Sequence, residues 1–232
     1  MTVLSLDSLR ETALIAGPEL ELAPAEAIIE WAVETFGSRF CVASSMTDTV
    51  LTHLASRVAP GIDVLFLDTG YHFAETLGTK AAVEVTMPVN VVSLAPTISV
   101  REQDEQFGKD LWARDPDACC FMRKVQPLKE GLTDYDAWAT GLRRDETRSR
   151  VIAPVVGWDE AKGKVKVSPL ARWNQDDVDR YIDEHNLLVN PLLYDGYPSI
   201  GCWPCTKRVD TGQDARSGRW VGHGKTECGI HS

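Results

Sequence analysis

Arg39-Phe40-Cys41-Val42-Ala43-Ser44-Ser45-Met46-Thr47-Asp48-Thr49-Val50-Leu51 decides the fold. A short apolar run bounded by polar residues gives way to a hydroxyl-rich loop, after which Val50, Leu51, Leu54 and Val58 fall in helical register. That is strand, loop and helix. The pattern repeats in Ile62 to Leu67, apolar enough for burial on both faces, followed by Asp68-Thr69-Gly70 and a helical stretch around Phe73 to Leu77. Val89 to Leu94 reads as a third strand. Strands alternating with helices of this length pair in parallel through crossover helices, so the fold class is α/β, an open and mostly parallel sheet flanked by helices. Ligands in such sheets sit at the carboxyl ends of the strands. The loops that fall there are Ser44 to Thr49 and Asp68-Thr69-Gly70-Tyr71.

Upstream, PAEAIIEWAVETF at residues 24–36 places Ile28, Ile29, Ala32, Val33 and Phe36 at helical spacing, with Pro24 suited to a first turn. Beyond about residue 95 the texture becomes charged and helical, and Ala137 to Leu142 and Val151 to Val156 read as further strands. Asn174-Gln175-Asp176-Asp177 opens another helix: Asn174 is a good N-cap, the acids complement the dipole, and Val178, Tyr181 and Ile182 supply the apolar face. From Gly196 onward the chain is rich in Gly, Pro and Arg, without periodicity.

The chain's 232 residues suffice for one substantial core. Hydrophobic content of 44% and charged content of 25% are near globular averages, and no apolar run approaches the roughly 20 residues that span a bilayer. The N-terminus lacks a basic region and a continuous apolar segment, so it does not read as a secretory signal. The expectation is a soluble cytoplasmic protein with no membrane partner. A net charge of -10 disfavours nucleic acid as a partner. Against that background, the basic stretches Arg143 to Arg150 and Arg208 to Arg219 read either as solvated loops or as an anion site.

Cysteines carry the sharpest signal. In a reducing cytosol, close-set pairs are metal ligands or catalysts rather than disulfides. Cys119 and Cys120 are adjacent, and Cys202-Trp203-Pro204-Cys205 is a CxxC, so these thiols supply the ligand count of an iron-sulfur cluster or of zinc if the fold joins the segments. Adjacent side chains diverge, which strains a single tetrahedral ion but suits the separated corners of a cluster. One 4Fe-4S cluster is therefore favoured over zinc. A thioredoxin-like redox pair is disfavoured by the Gly/Pro loop context of the CxxC. Cys228, in Thr226-Glu227-Cys228-Gly229-Ile230-His231, reads as a catalytic thiol: His231, Lys225 and His223 can favour the thiolate, and Gly229 frees the backbone. Cys41 lies in the first apolar run and reads as core. Ser44 to Thr49 offers hydroxyls and N–H groups at a helix N-terminus, where a phosphate would settle, although the loop lacks a Walker A pattern.

Ala43-Ser44-Ser45-Met46-Thr47-Asp48, Leu67-Asp68-Thr69-Gly70-Tyr71, Cys119-Cys120-Phe121-Met122-Arg123-Lys124, Thr140-Gly141-Leu142-Arg143-Arg144, Gly201-Cys202-Trp203-Pro204-Cys205 and Glu227-Cys228-Gly229-Ile230-His231 together resemble the assimilatory adenylyl-sulfate (APS) reductases of the 3'-phosphoadenylyl-sulfate (PAPS) reductase family. The likeness runs from about residue 40 to the end. Ser45 stands where many PP-loops have glycine. The resemblance implies an adenine-nucleotide alpha-hydrolase-like fold, with a nucleotide-binding domain carrying the cluster over 37–210 and a catalytic tail over 211–232; residues 1–36 ahead of it read as an N-terminal helical segment packed on the core. It implies that Cys228 attacks the sulfur of APS, expels AMP and holds a thiosulfonate, from which thioredoxin or a glutaredoxin-like reductant releases sulfite for cysteine biosynthesis.

Carried over residue by residue, the resemblance makes Ser44, Ser45, Met46, Asp48, Leu67, Thr69, Gly70, Lys124, Gly141, Arg143, Arg144, Arg216, Arg219 and His231 substrate-binding. The cations among them would line the phosphosulfate site. PAPS as substrate is the nearest alternative, disfavoured because PAPS-specific members of the family lack both cysteine pairs. An ATP-dependent sulfur-transfer PP-loop enzyme and a noncatalytic zinc module are more distant ones. The sequence leaves a homo-oligomer open.

Overall fold

The computed structural model describes residues 4–231, so the outermost residues of the 1–36 and 211–232 segments lie outside it. Two helices come first. The Ser5 hydroxyl caps α1 (Leu6–Leu20) by accepting from Ser8 N–H, and α2 (Ala25–Phe36) buries Ile28, Ile29, Ala32 and Phe36 along one face. Then the alternation sets in: β1 (Phe40–Ala43), α3 (Val50–Val58), β2 (Asp63–Leu67), α4 (Ala74–Thr86) and β3 (Asn90–Leu94). Short helical pieces follow, α5 (Val100–Phe107), α6 (Leu111–Arg114), α7 (Pro116–Cys120), a π-helical turn over Phe121–Val125 and α8 (Gln126–Gly131). The chain returns to the sheet with β4 (Ala137–Thr140), β5 (Val156–Asp159) and β6 (Lys164–Val167), and α9 (Gln175–His185) is capped by Asn174 in a full capping box with Asp177.

Among the described residues the six strands form one sheet in the order β3-β2-β1-β4-β6-β5. All pairs are parallel except β5 with β6. Strand β1 lies inside, with Val42 opposite Val64 on one side and Ala139 on the other. Its residues alternate between two cores. Phe40 and Val42 join α1, α2, α3 and α9 in the larger one. Cys41 faces the smaller one, with Leu65, Leu128, Leu132, Tyr135 and Trp138. The Cys41 thiol, read as core from the sequence, is enclosed there, and burial pushes its pKa well above the ordinary value.

The strand expected over Val151 to Val156 starts later. Val151 and Ile152 lie in a turn, Ile152 is 89% exposed, and pairing begins only at Val156. Pro154 and the capture of the Ala153 carbonyl by Arg144 Nε keep this apolar run out of the sheet. Strand β6, unread from the sequence, alternates Lys164-Val165-Lys166-Val167 with only the valines fully buried. That is the period-two signature of a half-covered strand, preceded by Gly163 at φ +64°.

Helix α1 lies against β5 at close range. A Cβ added at Gly17 would stand 2.6 Å from the backbone oxygen of Val156, a group that cannot swing aside. Alanine gains at most about 1 kcal/mol over glycine in a helix, whereas overpacking costs about 1–3 kcal/mol. Gly17→Ala is therefore expected to lower the urea midpoint without altering nucleotide affinity. An unchanged or raised midpoint would show that α1 does not seat on β5 this closely.

Candidate active site

Because the chain leaves β1 toward β2 and β3 and later returns to β4 on the other side of β1, the order reverses at the β1/β4 boundary. The crevice outside their carboxyl ends is where an open α/β sheet binds its ligand. Two loops enter it. After β1, Met46 and Thr49 take left-handed backbone conformations, φ +56° and +59°, uncommon for residues with side chains and concentrated here within one turn of chain. The bend is held from within by Met46 N–H donating to Ser44 Oγ (3.3 Å) and Val50 N–H to Asp48 Oδ1 (3.0 Å). It is held from outside by Asn190, fully buried, whose N–H donates to the Thr47 carbonyl at 2.8 Å while its side-chain amide donates to the Met46 carbonyl and to Thr76. Asn190 is a positioning residue that no local motif marks. After β4, Gly141 stands in open space and Arg143 extends to Asp145 and Gln175. Asp48 is half-buried; burial raises its carboxyl above the usual range, opposed by Val50 N–H and Arg143.

The β2 loop turns toward the cysteines. Gly70, at φ +73°, gives this turn a conformation that glycine adopts without strain. Cys202 Sγ hydrogen-bonds Thr69 Oγ1 at 3.4 Å, and Trp203 N–H donates to the Tyr71 carbonyl at 2.8 Å, which ties the CxxC to this loop. Cys119, Cys120, Cys202 and Cys205 all line one narrow pocket, with Tyr71, Trp112, Arg123, Lys124 and Trp220 in its wall. Among the described residues no group of three His, Cys, Asp or Glu side chains converges to hold a single metal ion.

The pocket's chemistry asks for a cationic occupant with sulfur or oxygen acceptors. Burial, then the neighbouring thiols, push Cys119 up to about 12 and Cys205 up to about 11, so bare thiolates are disfavoured there. Metal ions that displace the thiol protons remove that cost. Two residues of the same wall, Arg123 and Trp220, carry enclosed N–H donors, Nη2 and Nε1, with no partner among the described residues. Arg123 is otherwise fixed by Gln103 Oε1 (2.7 Å) and the Thr69 carbonyl (3.2 Å). The donor set fits an iron-sulfur group, with the cysteines as its ligands.

Cations gather beside this pocket. Burial alone would lower Lys124, but the sulfurs of Cys202, Cys228 and Cys120 outweigh it and raise its pKa. Arg216 and Arg219 both donate to Ser199 Oγ, at 3.4 and 3.1 Å. A Cβ at Gly201 would overlap the Arg219 guanidinium, so glycine permits this close approach. Burial and Arg216 pull Arg219 below its ordinary value, while Cys228, Cys202 and Cys205 act the other way. The tail thus brings Cys228 within electrostatic reach of Lys124, Arg219 and Cys120.

Arg144 is engaged elsewhere in this structure. Its guanidinium forms a two-point pair with Glu21 (2.6 and 3.0 Å) and donates to the Ala153 carbonyl, on the side where the chain packs against the end of α1. It does not line the thiol and cation cluster. Arg150, read from the sequence only as the end of a basic stretch, is 8% exposed and pairs with both Glu146 and Glu227, bringing the β4 loop against the tail. The intervals of 4 and 77 residues to those acids give no sequence signal for the second contact.

An open, mostly parallel α/β sheet with a strained hydroxyl loop at its switch point defines the class of fold. The crystal structure of Candida glabrata FMN adenylyltransferase shares this fold, with a TM-score of 0.59 at 11% identity over 92% of this chain and 71% of that one. Family membership is more specific. The phosphoadenosine phosphosulfate reductase domain matches residues 39–208, and the chain belongs to that family. The Streptomyces coelicolor protein named adenosine 5'-phosphosulfate reductase is 61% identical over 97% of this chain and 95% of its own length. The crystal structure of phosphoadenylyl-sulfate (PAPS) reductase from Candida auris superposes with a TM-score of 0.70 at 26% identity, over 88% of this chain and 98% of that one.

The end of the tail docks on the smaller core. Ile230 packs against it, and the His231 ring lies parallel to Trp138, 3° between planes and 6.3 Å between centroids. Lys166 Nζ donates to the His231 carbonyl at 3.3 Å. Burial first, then Lys166, Arg150, Lys162 and Arg216, hold His231 well below its ordinary 6.5. Burial also pulls Lys166 down to about 8, opposed by Asp159. An undocked His231 takes up a proton near 6.5 and the docked one does not, so docking is complete above that value and weakens as pH falls through it. Lys166 is protonated docked or free below about 8 and contributes no slope there. Glu227, held below its ordinary value, adds to the loss at still lower pH. Hydrogen exchange of residues 227–231 is expected to accelerate, beyond the intrinsic pH dependence, between pH 7 and pH 5. Constant protection over that range would rule this docking out.

Proposed function

We propose that this chain reduces adenylyl sulfate (APS) to sulfite and AMP, with Cys228 as nucleophile. The observation that carries the reading is that the tail thiol comes within electrostatic reach of Lys124 and Arg219, while Arg216 grips the neighbouring Thr226 and Glu227. The naming of the S. coelicolor relative as an APS reductase supports that substrate.

In the first step Cys228 Sγ attacks the sulfonate sulfur; the S–S bond forms, the bond from sulfur to the bridging oxygen breaks, and its electron pair leaves on the phosphate of AMP. Lys124, Arg216 and Arg219 bind the phosphosulfate and stabilise charge moving onto that oxygen. Ser44, Ser45, Met46, Asp48, Leu67, Thr69, Gly70, Gly141 and Arg143 form the nucleotide crevice, and His231 helps to seat the tail over it. In the second step a thiolate of thioredoxin, or of a glutaredoxin-like dithiol, attacks Cys228 Sγ and releases sulfite. The second thiol of the dithiol then resolves the mixed disulfide, so the reductant provides both electrons. The reaction belongs to sulfate assimilation in the cytoplasm.

Cys119, Cys120, Cys202 and Cys205 would hold one 4Fe-4S cluster, which supplies charge and rigidity beside the anion site rather than electrons. Lys124 lines the same pocket as the cysteines, lies within electrostatic reach of both Cys202 and Cys228, and would transmit that charge.

Intact-mass spectrometry after adding APS without reductant should reveal one sulfonate on the wild-type chain and none on Cys228→Ser. An adduct on the serine variant would sink the nucleophile assignment. Freshly purified protein should be brown, with about four irons per chain; full activity in colourless, iron-free protein would remove the cluster. Because the C. auris neighbour is a PAPS reductase, kcat/KM on both nucleotides decides the substrate, with APS expected to be preferred.

A further inference from the structure

The tail is fastened on both sides of Cys228. On the C-terminal side Ile230 and His231 dock on the smaller core, and Gly229, at φ +83°, turns the chain between dock and thiol. On the N-terminal side Glu227 receives two hydrogen bonds from Arg150, Nε at 2.8 Å and Nη2 at 2.6 Å, one from Arg216 at 3.3 Å and one from the Thr147 hydroxyl at 3.2 Å. Arg216 also donates to the Thr226 carbonyl at 3.0 Å, so the backbone beside Glu227 is gripped as well.

Such a contact is more than a surface ion pair. Arg150 is almost wholly buried and already has a carboxylate in Glu146, four residues away in its own loop. The planar, two-point arrangement with Glu227 fixes direction as well as distance, because both nitrogens of one edge must meet both carboxylate oxygens. Burial would raise the Glu227 carboxyl, but the Arg150 hydrogen bond and the charges of Arg150 and Arg216 outweigh it and keep the group ionised.

We propose that Glu227 is a positioning residue for the nucleophile: its carboxylate, clasped by Arg150 and Arg216, fixes the tail so that the adjacent Cys228 is presented to the sulfonate sulfur. This rests on the reading of Cys228 as nucleophile. Glu227 itself touches no reacting atom and acts through the one peptide unit that links it to Cys228. A misplacement of about 1 Å at a reacting atom is worth on the order of a hundredfold in rate.

Glu227→Gln keeps size and one acceptor oxygen, removes the charge, and leaves Arg150 its Glu146 partner. In single-turnover mixing with saturating APS, the variant is expected to form the Cys228 sulfonate on the order of ten- to a hundredfold more slowly. The affinity for AMP should change less than about threefold, because Glu227 hydrogen-bonds Thr147, Arg150 and Arg216 and none of the residues assigned to the nucleotide crevice. Iodoacetamide, with peptide mapping to locate the label, should modify Cys228 faster in the free variant than in the wild type. Glu227→Asp, which keeps the charge on a shorter arm, should recover part of the rate. A wild-type rate of adduct formation in Glu227→Gln overturns the proposal. So does a loss of AMP affinity that accounts for the whole rate effect, since Glu227 would then be supporting the anion site rather than the tail. If wild-type protein forms no adduct at Cys228, the functional reading fails first; if it does and the variant matches it, only the role of Glu227 fails.

Discussion

Parallel pairing of β1 with β2 on one side and β4 on the other is the constraint on which the rest depends. A strand so placed is covered on both faces, which is why Phe40, Cys41 and Val42 are apolar throughout rather than alternating with polar residues. The chain must also leave the sheet twice at the same end, next to itself. The hydroxyl loop after β1 and the arginine loop after β4 become neighbours for that reason, although about a hundred residues separate them.

Around this crevice the charge distribution is uneven. Arg39 with Asp136 and Arg144 with Glu21 are satisfied by single carboxylates away from the thiols. Lys124 and Arg219 instead sit close to sulfur atoms, and Arg123 keeps an enclosed donor without a partner. A set of cations and raised-pKa thiols in one region is electrostatically incomplete without bound groups. A metal-sulfur group in the cysteine pocket and an anion beside it would each supply what the protein leaves unmatched. The tail closes the arrangement by contributing Glu227, a carboxylate that joins Arg150 to Arg216.

Some of this was readable residue by residue. The strand and helix sequence through β3 follows from periodicity, and the capping box at Asn174 marks the start of α9 unaided. The CxxC and the adjacent cysteines stand out as candidate ligands by residue type and spacing. The misreading at Val151 to Val156 has a physical origin: an apolar run signals burial, but Pro154 and Arg144 hold this one in a turn, with Ile152 in solvent. The two arginines after Gly141 looked equivalent because sequence does not record direction. The backbone sends Arg143 toward Gln175 and Arg144 toward Glu21.

The sequence by itself determined the class of fold, the thiol inventory and the motifs at the two strand ends, because these depend on local spacing and on side-chain chemistry within a few residues. Only the tertiary structure decided that both cysteine pairs share one pocket, that Asn190 clamps the first loop, and that Glu227 meets Arg150. Those contacts span 77 to 144 residues of chain. Their partners are chosen by where the sheet places each loop, and no local propensity encodes that choice.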